Sequence, residues 1–203
     1  MSFIGSINAE TRKWLGNNGT AFDGRQVYVG CSGNFTVEQI LSRYALKARI
    51  WGNDVSIYSG VLGAYLADQP FDFSVREEEY KWLEAHMEDV EAKAATVMVL
   101  LEALKYEKAN NAFKARHWNH YHHNFSQFHQ ATVEKLRERK QGIRLEGYSS
   151  KDIFDLLDEI PKEAVVVAFL PTYAGGYERM FKRLGEIFEW DEPSYEIIDE
   201  ERK

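Results

Sequence analysis

The fold is decided by residues 26–35, QVYVGCSGNF, in which a β-branched and aromatic segment runs directly into a turn of small residues. The apolar residues that follow repeat at intervals of three and four, as in an amphipathic helix: Val37, Ile40, Leu41 and Tyr44. Thr36 stands where a helix cap is expected. A strand that turns straight into a helix begins a β-α-β unit, so this stretch predicts a parallel sheet with crossover helices.

Later segments extend the same pattern. We expect a second strand at residues 48–51 and a helix at 56–67, because apolar residues there again repeat at helical spacing. The continuous apolar run 164–170 is typical of a central parallel strand buried on both faces. Only thirty residues follow Tyr173, enough for one helix at 177–187 and one more strand. We therefore expect a sheet abbreviated at its C-terminal end, or completed by a second copy or a missing segment.

A helical segment separates these two parts. The apolar period from Val75 to Leu104 predicts one long amphipathic helix, and a second stripe runs from Trp118 to Leu136. Two long helices joined by a short polar break form a helical hairpin. The chain thus divides into 1–74, the first half of an α/β domain; 75–148, a helical insertion; and 149–203, the remainder of the α/β domain.

Composition limits the class of protein. The chain has 203 residues, of which 44% are hydrophobic and 14% aromatic, enough for one principal domain with an insertion. Its longest apolar runs are about half the length that a bilayer crossing needs, so we expect no membrane partner. The first residues lack a signal peptide's basic and apolar regions, and the single cysteine cannot form an internal disulfide. We expect a reducing cytosol.

The net charge of −7 conceals a basic segment at residues 105–144, which has nine Lys or Arg against three Asp or Glu. This segment also holds five of the six histidines. Its expected outward helix face and adjacent basic residues could contact base edges and phosphates, which predicts a nucleic-acid surface: Arg116, His120, His123, Gln127, Lys135, Arg139 and Lys140. A plain solvated face and a zinc site through His120 and His123 are the open alternatives. No cysteine and no pair of carboxylates accompanies these two histidines in the sequence.

The small-residue turn also has the features of a ligand site. Gly30 and Gly33 would expose backbone N–H groups at a helix N-terminus, where no Cβ obstructs a ligand. Asp54 follows Gly33 by twenty-one residues, the place where an acid accepts hydrogen bonds from ribose hydroxyls in doubly wound folds. The combination predicts an adenosine-containing cofactor. An ordinary structural turn is the alternative.

Four segments resemble those of a known family, in the same order. VYVGCSGNF and RIWGNDVSIYSGVLG resemble motif I and the following acidic motif of Dam-like (D12 class) DNA adenine-N6 methyltransferases. RKWLG, which contains Lys13 and Trp14, is similar to the family's amino-terminal Lys-Trp-x-Gly segment. FLPTY, residues 169–173, resembles an altered Asp-Pro-Pro-Tyr catalytic motif. In that family the target-recognition insert lies between the cofactor half and the catalytic motif, where this chain has its basic helices.

The resemblance implies a Rossmann-like, S-adenosylmethionine-dependent methyltransferase fold, a DNA partner and a set of site residues. The residues implied to hold the cofactor are Lys13, Trp14, Gly30, Cys31, Ser32, Gly33, Asn34 and Asp54. The implied catalytic motif is Leu170, Pro171, Thr172 and Tyr173. More specifically, the chain resembles a phage-encoded antirestriction methyltransferase-like protein, for which we expect the host cytoplasm as the location.

The altered motif bears on whether the protein is an enzyme. An N6-methyltransferase must accept hydrogen bonds from the adenine amino group, and Leu170 stands where the family has Asp. Losing such a group costs on the order of 3 kcal/mol, roughly a hundredfold in rate. Glu178 is the nearest alternative acid in sequence. We therefore expect weak adenine methylation, or a non-catalytic DNA-binding or antirestriction protein on the same scaffold; a virion or assembly protein is a third interpretation.

Overall fold

The computed structural model describes residues 7–107, 111–170 and 178–195. Their helices are α1 (Ala9–Asn17), α2 (Thr36–Tyr44), α3 (Ile57–Leu66), α4 (Val90–Ala103), α5 (Ala112–His123), α6 (Phe125–Gln141), α7 (Ile153–Glu159) and α8 (Glu178–Ile187). Their strands are β1 (Gln26–Gly30), β2 (Arg49–Asn53), β3 (Phe73–Val75), β4 (Gly147–Ser149), β5 (Val165–Ala168) and β6 (Phe188–Trp190). Short 3-10 helices lie at Gly19–Phe22, Glu78–His86 and Leu104–Tyr106.

Four strands form a parallel sheet in the order β4-β2-β1-β5. In its register Gly30 lies opposite Asn53 on one side and Ala168 on the other. β3 and β6 pair separately as an antiparallel ribbon. The mostly parallel sheet with crossover helices confirms the predicted α/β class. The expected abbreviation of the sheet stays a prediction.

Two hydrophobic clusters cover the sheet. The first joins α1 and α2 to β1 and β2 through Leu15, Leu41, Val27 and Ile50. The second is larger and brings α3, α4, α6 and α8 together around Leu62, Leu100, Leu136 and Leu184. All ten residues of α3 are buried, because helices and sheet enclose it. The second cluster crosses both proposed boundaries, at 74 and at 148, and the three-part division stays a prediction.

The predicted helix cap at Thr36 is wrong. Phe35 occupies the N-cap position in a left-handed conformation, with φ 52°, and makes no side-chain capping bond. Its ring is fully buried, and its N–H donates to the Ser32 carbonyl at 2.8 Å. Packing of an aromatic side chain therefore determines where α2 begins.

The single long helix predicted for residues 75–104 is also wrong. β3 ends at Val75, a 3-10 segment follows, and α4 begins only after Asp89, whose carboxylate accepts the Ala92 N–H at 2.8 Å. Thr96 Oγ1 donates to the His86 carbonyl at 2.8 Å and ties the two segments together. Asp89 therefore begins a new helix, although the apolar residues keep the same spacing on both sides of it.

The second predicted helix divides at Asn124, so the expected hairpin consists of three helices. The Asn124 amide nitrogen donates to the His120 carbonyl at 2.9 Å and caps α5, after which α6 runs to Gln141 as expected. Helix α6 packs along α4. Among the described helices, none combines the length and apolar character of a membrane span.

Within the part of the chain that the structure describes, strand β5 does not take the central place that its apolar sequence predicts. Among the described strands it lies at the sheet edge, and Val166 retains 37% of its surface exposed. The last strand, β6, joins β3 in the ribbon instead of extending the sheet. The apolar run predicts a buried strand, but it does not encode the position of that strand in the sheet.

Candidate functional site

The sheet order places a topological switch point between β1 and β5. The chain leaves β1 for β2 on one side and returns to β5 on the other. Since Gly30 lies opposite Ala168, the turn after β1 and the residues after β5 meet at the same carboxyl edge. In open α/β sheets ligands bind in this crevice. The fold therefore brings the glycine turn and the start of the altered motif together.

The turn at residues 31–35 has an unusual backbone conformation. Cys31, Gly33 and Phe35 have φ values of 58°, 53° and 52°. For the two non-glycine residues such left-handed geometry costs about 1 to 3 kcal/mol each. Surrounding contacts must hold the turn in this shape, and the neighbouring strand and helix provide them.

Strand β2 and helix α3 supply these contacts. The Ser32 N–H donates to the Asn53 carbonyl at 2.9 Å, and the Ser32 hydroxyl accepts the Asn53 N–H at 3.0 Å. From α3, Ser59 Oγ donates to the Gly33 carbonyl at 2.9 Å. Ser59 was missed in the sequence, although a polar residue within an otherwise apolar helix is a signal that could have identified it.

Asp54 meets the glycine turn directly. Its Oδ2 accepts the Gly33 N–H at 2.8 Å, and its Oδ1 accepts the Ser56 N–H at 3.0 Å. The residue is only 3% exposed. The turn and the acid thus converge in space, but the carboxylate fixes the turn and presents little surface to a ribose.

Gly30 is needed for packing. A Cβ added there would lie 2.3 Å from Cδ1 of Ile153, the first residue of α7, and 3.2 Å from the Ala168 Cβ. The space above Gly30 is therefore filled by a side chain of this protein. A ligand placed directly above Gly30 would meet the Ile153 side chain, and the role of Gly30 in cofactor binding stays a prediction.

The thiol of Cys31 is held protonated. Burial raises its pKa to about 12, and the nearby carboxylates of Asp54 and Asp152 add to the rise. A thiolate is the nucleophilic form of cysteine. Cys31 therefore contributes backbone and shape to this edge, and no nucleophile.

Asn34 connects the turn to helix α6. Arg139 donates through Nη1 to Asn34 Oδ1 at 3.0 Å and through Nη2 to the Asn34 carbonyl. Tyr58 Oη donates to the same Oδ1 at 3.1 Å. No feature of the sequence predicts this contact, since Arg139 is separated from Asn34 by 105 residues.

A buried acid lies in the first turn of α2. Glu38 is fully buried, and neither of its carboxyl oxygens has a hydrogen-bond partner among the described residues. Burial raises its pKa to about 8, while nearby Ser32 and Arg139 limit that rise. Glu38 was not singled out in the sequence, where it occupies an ordinary first-turn position.

The amino-terminal residues Lys13 and Trp14 are exposed on α1. Helix α1 packs on α2, and the ring of Tyr44, the last residue of α2, lies against Gly16. The glycine turn precedes the opposite end of α2. Among the described contacts, none brings Lys13 or Trp14 to the turn.

The altered catalytic motif is described only at its start. Leu170 is 43% exposed at the carboxyl edge, two residues beyond β5. Pro171, Thr172 and Tyr173 lie outside the described residues, as does the side chain of Glu178. At the one motif position that the structure describes, the side chain is apolar and accessible.

The basic segment is only partly a surface. Five of the residues predicted to contact nucleic acid are exposed: Arg116, His120, His123, Gln127 and Lys135. Helix α5, fully described, has no buried side chain. Ring nitrogens of two histidines bond locally, with 2.7 Å from His123 Nδ1 to the Asn119 carbonyl and 3.2 Å from His120 Nδ1 to the Asn124 amide.

Arg139 and Lys140, in the last turn of α6, bond within the protein, and their predicted contact with nucleic acid stays a prediction. Arg139 turns inward to Asn34, and Lys140 Nζ donates to the Tyr65 carbonyl at 2.9 Å and pairs with Asp68. Arg144, just beyond α6, likewise donates to carbonyls at the end of α2. These cations fasten the helices to the α/β part.

A parallel sheet with crossover helices, a left-handed turn at its switch point and an acid after the next strand define a Rossmann-like methyltransferase fold. The chain matches the family model described as "Phage DNA Adenine Methylase-like domain 1" over residues 3–203, and it belongs to that family. No curated protein and no solved structure matches it. The family places the chain among DNA adenine methylase-like proteins, as the sequence motifs predict.

Proposed function

We propose that the protein binds S-adenosylmethionine at the β1–β5 switch point and methylates adenine in DNA weakly. The observation that carries the proposal is the bond from the Gly33 N–H to Asp54, which forms a shaped turn beside the edge of β5. The family supplies the reaction class and implies the methyl donor. We further propose DNA as the macromolecular partner and the cytoplasm of a phage-infected host as the location.

At the carboxyl edge of the sheet, the glycine turn suits the cofactor better than Asp54 does. In the turn Cys31 and Asn34 are half-buried and Ser32 and Gly33 are buried. The Asp54 and Asp152 carboxylates place negative charge close to Cys31, which suits a cationic sulfonium. Asp54 is too buried to be a principal ribose ligand, so we assign it to shaping the turn. Bound there, the cofactor would supply an electrophilic methyl group.

The protein's own residues determine how fast that methyl group could be transferred. An adenine amino group needs hydrogen-bond acceptors, and the isobutyl group of Leu170 is not one. Of the family's motif this chain keeps the Pro171 carbonyl and the Tyr173 ring, both of which lie outside the described residues. We therefore propose turnover at least about a hundredfold below that of a site with the carboxylate.

The test of cofactor binding uses calorimetric titration of the full chain with S-adenosylhomocysteine. Wild type is expected to bind, and Asp54→Ala to bind at least about tenfold more weakly, because the Gly33 and Ser56 N–H groups lose their acceptor. Asp155→Ala removes an exposed acid of α7 and serves as the control. Absence of binding by wild type, or equal affinity in the Asp54 variant, would contradict the proposal.

A second candidate is a non-catalytic DNA-binding or antirestriction protein on the same scaffold, favoured by the apolar Leu170. Incorporation of labelled methyl groups into DNA separates the two. DNA retention with cofactor binding but no incorporation would favour the second candidate, whereas measurable incorporation favours the enzyme.

A further inference from the structure

Arg139 provides the described link between the basic helices and the glycine turn. It lies in the last turn of α6, and its guanidinium contacts both the side chain and the main-chain carbonyl of Asn34. A two-pronged contact of this kind fixes direction as well as distance. The position of α6 and the shape of the turn are therefore mechanically connected.

The turn is a structure that needs such a contact. Its neighbours Cys31 and Phe35 both have left-handed backbones. The other described bonds that hold it come from β2, from Asp54 just after β2 and from α3, all within the first 74 residues. Arg139 alone among these groups comes from the helical segment that carries the exposed basic surface.

The burial and charge of Arg139 make loss of its contact with Asn34 unfavourable. Burial lowers the pKa of its guanidinium, and Tyr58 and Glu38 oppose this effect. A buried guanidinium that loses its acceptors is left with unsatisfied donors, so movement of α6 away from Asn34 is disfavoured. We call the position of α6 in which Arg139 contacts Asn34 the seated position.

We propose that Arg139 is a positioning residue that couples DNA binding on α5 and α6 to nucleoside binding at the turn. This inference rests on the proposed function. A ligand on the turn stabilises the seated position of α6, and a duplex that favours this position tightens the nucleoside site. By linkage the effect is reciprocal: each ligand changes the affinity for the other by the same factor.

Arg139→Gln tests the coupling, because glutamine removes the charge and the two-pronged contact. Arg139→Lys retains the charge with a single donor group. Arg137→Gln is the matched control: the same substitution on the same helix, where the exposed guanidinium pairs with Glu91 at 2.7 Å and makes no described contact with the turn.

Two measurements on the full chain are needed. Calorimetry with S-adenosylhomocysteine, with and without a 20-base-pair duplex, gives the factor by which DNA changes affinity, and hydrogen exchange of peptides covering residues 31–38 reports on the turn without ligand. For Arg139→Gln we expect about tenfold weaker nucleoside binding, faster exchange and no effect of DNA on affinity. Arg139→Lys should be intermediate, and Arg137→Gln should match wild type.

The outcomes separate this inference from the proposed function. A wild-type chain that binds no nucleoside refutes the proposed function and the coupling, while the exchange data still decide whether Arg139 holds the turn. Unchanged exchange and affinity in Arg139→Gln, or a wild-type affinity that DNA does not alter, overturns the coupling and leaves the proposed function intact. If Arg139→Gln does not fold, Arg139→Lys decides: equal DNA dependence in this variant and wild type overturns the coupling.

Discussion

At the scale of single residues, the chemistry of the site depends on what each side chain can accept or donate. Leu170 stands accessible at the carboxyl edge, where the family motif has an acid. Asp54, expected to hold a ribose, instead accepts two backbone N–H groups. Leu170 has no hydrogen-bond acceptor to offer, and Asp54 uses its carboxylate to hold the backbone.

Leu170→Asp should therefore increase methyl transfer. A carboxylate at this exposed position can accept a hydrogen bond from the adenine amino group, and we expect an increase of about a hundredfold. Labelled methyl incorporation into duplex DNA measures it. Leu157→Asp, which places the same charge at an exposed leucine of α7, is the control. Equal incorporation in wild type and Leu170→Asp would show that the missing acceptor does not limit the reaction.

Glu38 should make stability depend on pH. Its pKa is raised from 4.5 to about 8, so between these values the folded chain binds more protons than the unfolded chain. The contribution of Glu38 to stability is then full below about pH 4.5 and is lost as the pH rises through about 8, with a slope of up to ~1.4 kcal/mol per pH unit.

Urea unfolding at pH 5, 6.5 and 8 measures this dependence. Glu38→Gln should be increasingly stabilised relative to wild type as the pH rises, because glutamine has no proton to lose. Glu134→Gln, at an exposed position of α6, should follow the pH dependence of wild type. A Glu38→Gln chain with the same pH dependence as wild type would exclude Glu38 as the titrating group.

At the scale of helices and strands, periodicity predicted the local elements around the glycine turn well. β1, α2, β2 and α3 all lie where the sequence places them, within one or two residues. Two errors have a physical cause in common, since both depend on contacts that periodicity does not record. The cap at Asp89 divides the expected long helix, and the strand order leaves β5 at an edge.

The Asp89 cap can be tested by itself. Asp89→Ala removes the acceptor for the Ala92 N–H at the start of α4, which should destabilise the fold by about 1 kcal/mol. Urea unfolding at neutral pH measures the change. Glu88→Ala alters the exposed neighbouring acid and should change stability by less than about 0.5 kcal/mol. Equal stability of the two variants would mean that α4 does not depend on this cap.

At the scale of the whole molecule, the candidate site is assembled from segments far apart in sequence. The convergence of residues near 30, 54 and 170 was predictable, because parallel strands that share a switch point bring their carboxyl ends together. The contacts of Arg139 with Asn34 and of Ser59 with Gly33 were not, because they depend on how α6 and α3 pack. Net charge was similarly uninformative about the roles of individual cations.

Charge is nevertheless distributed unevenly over the surface. An acidic cleft beside α7 is lined by Asp152, Asp155, Asp158 and Glu159, whereas exposed Arg116 and Lys135 lie on α5 and α6. DNA phosphates are repelled by the first surface and attracted by the second. The basic helices are therefore the face on which we expect a duplex to bind.

The double variant Arg116→Ala, Lys135→Ala should bind DNA more weakly and with a smaller salt dependence. Each phosphate contact releases about one counterion, so the slope of log affinity against log salt should fall by about two. Fluorescence anisotropy with a labelled duplex between 50 and 200 mM salt measures it. Arg43→Ala, Lys47→Ala removes two exposed cations near the end of α2 and should retain the wild-type slope. A slope that falls equally in both double variants would indicate general attraction to positive charge. A fall confined to the first variant locates the duplex on α5 and α6, of which α6 is joined to the turn by Arg139.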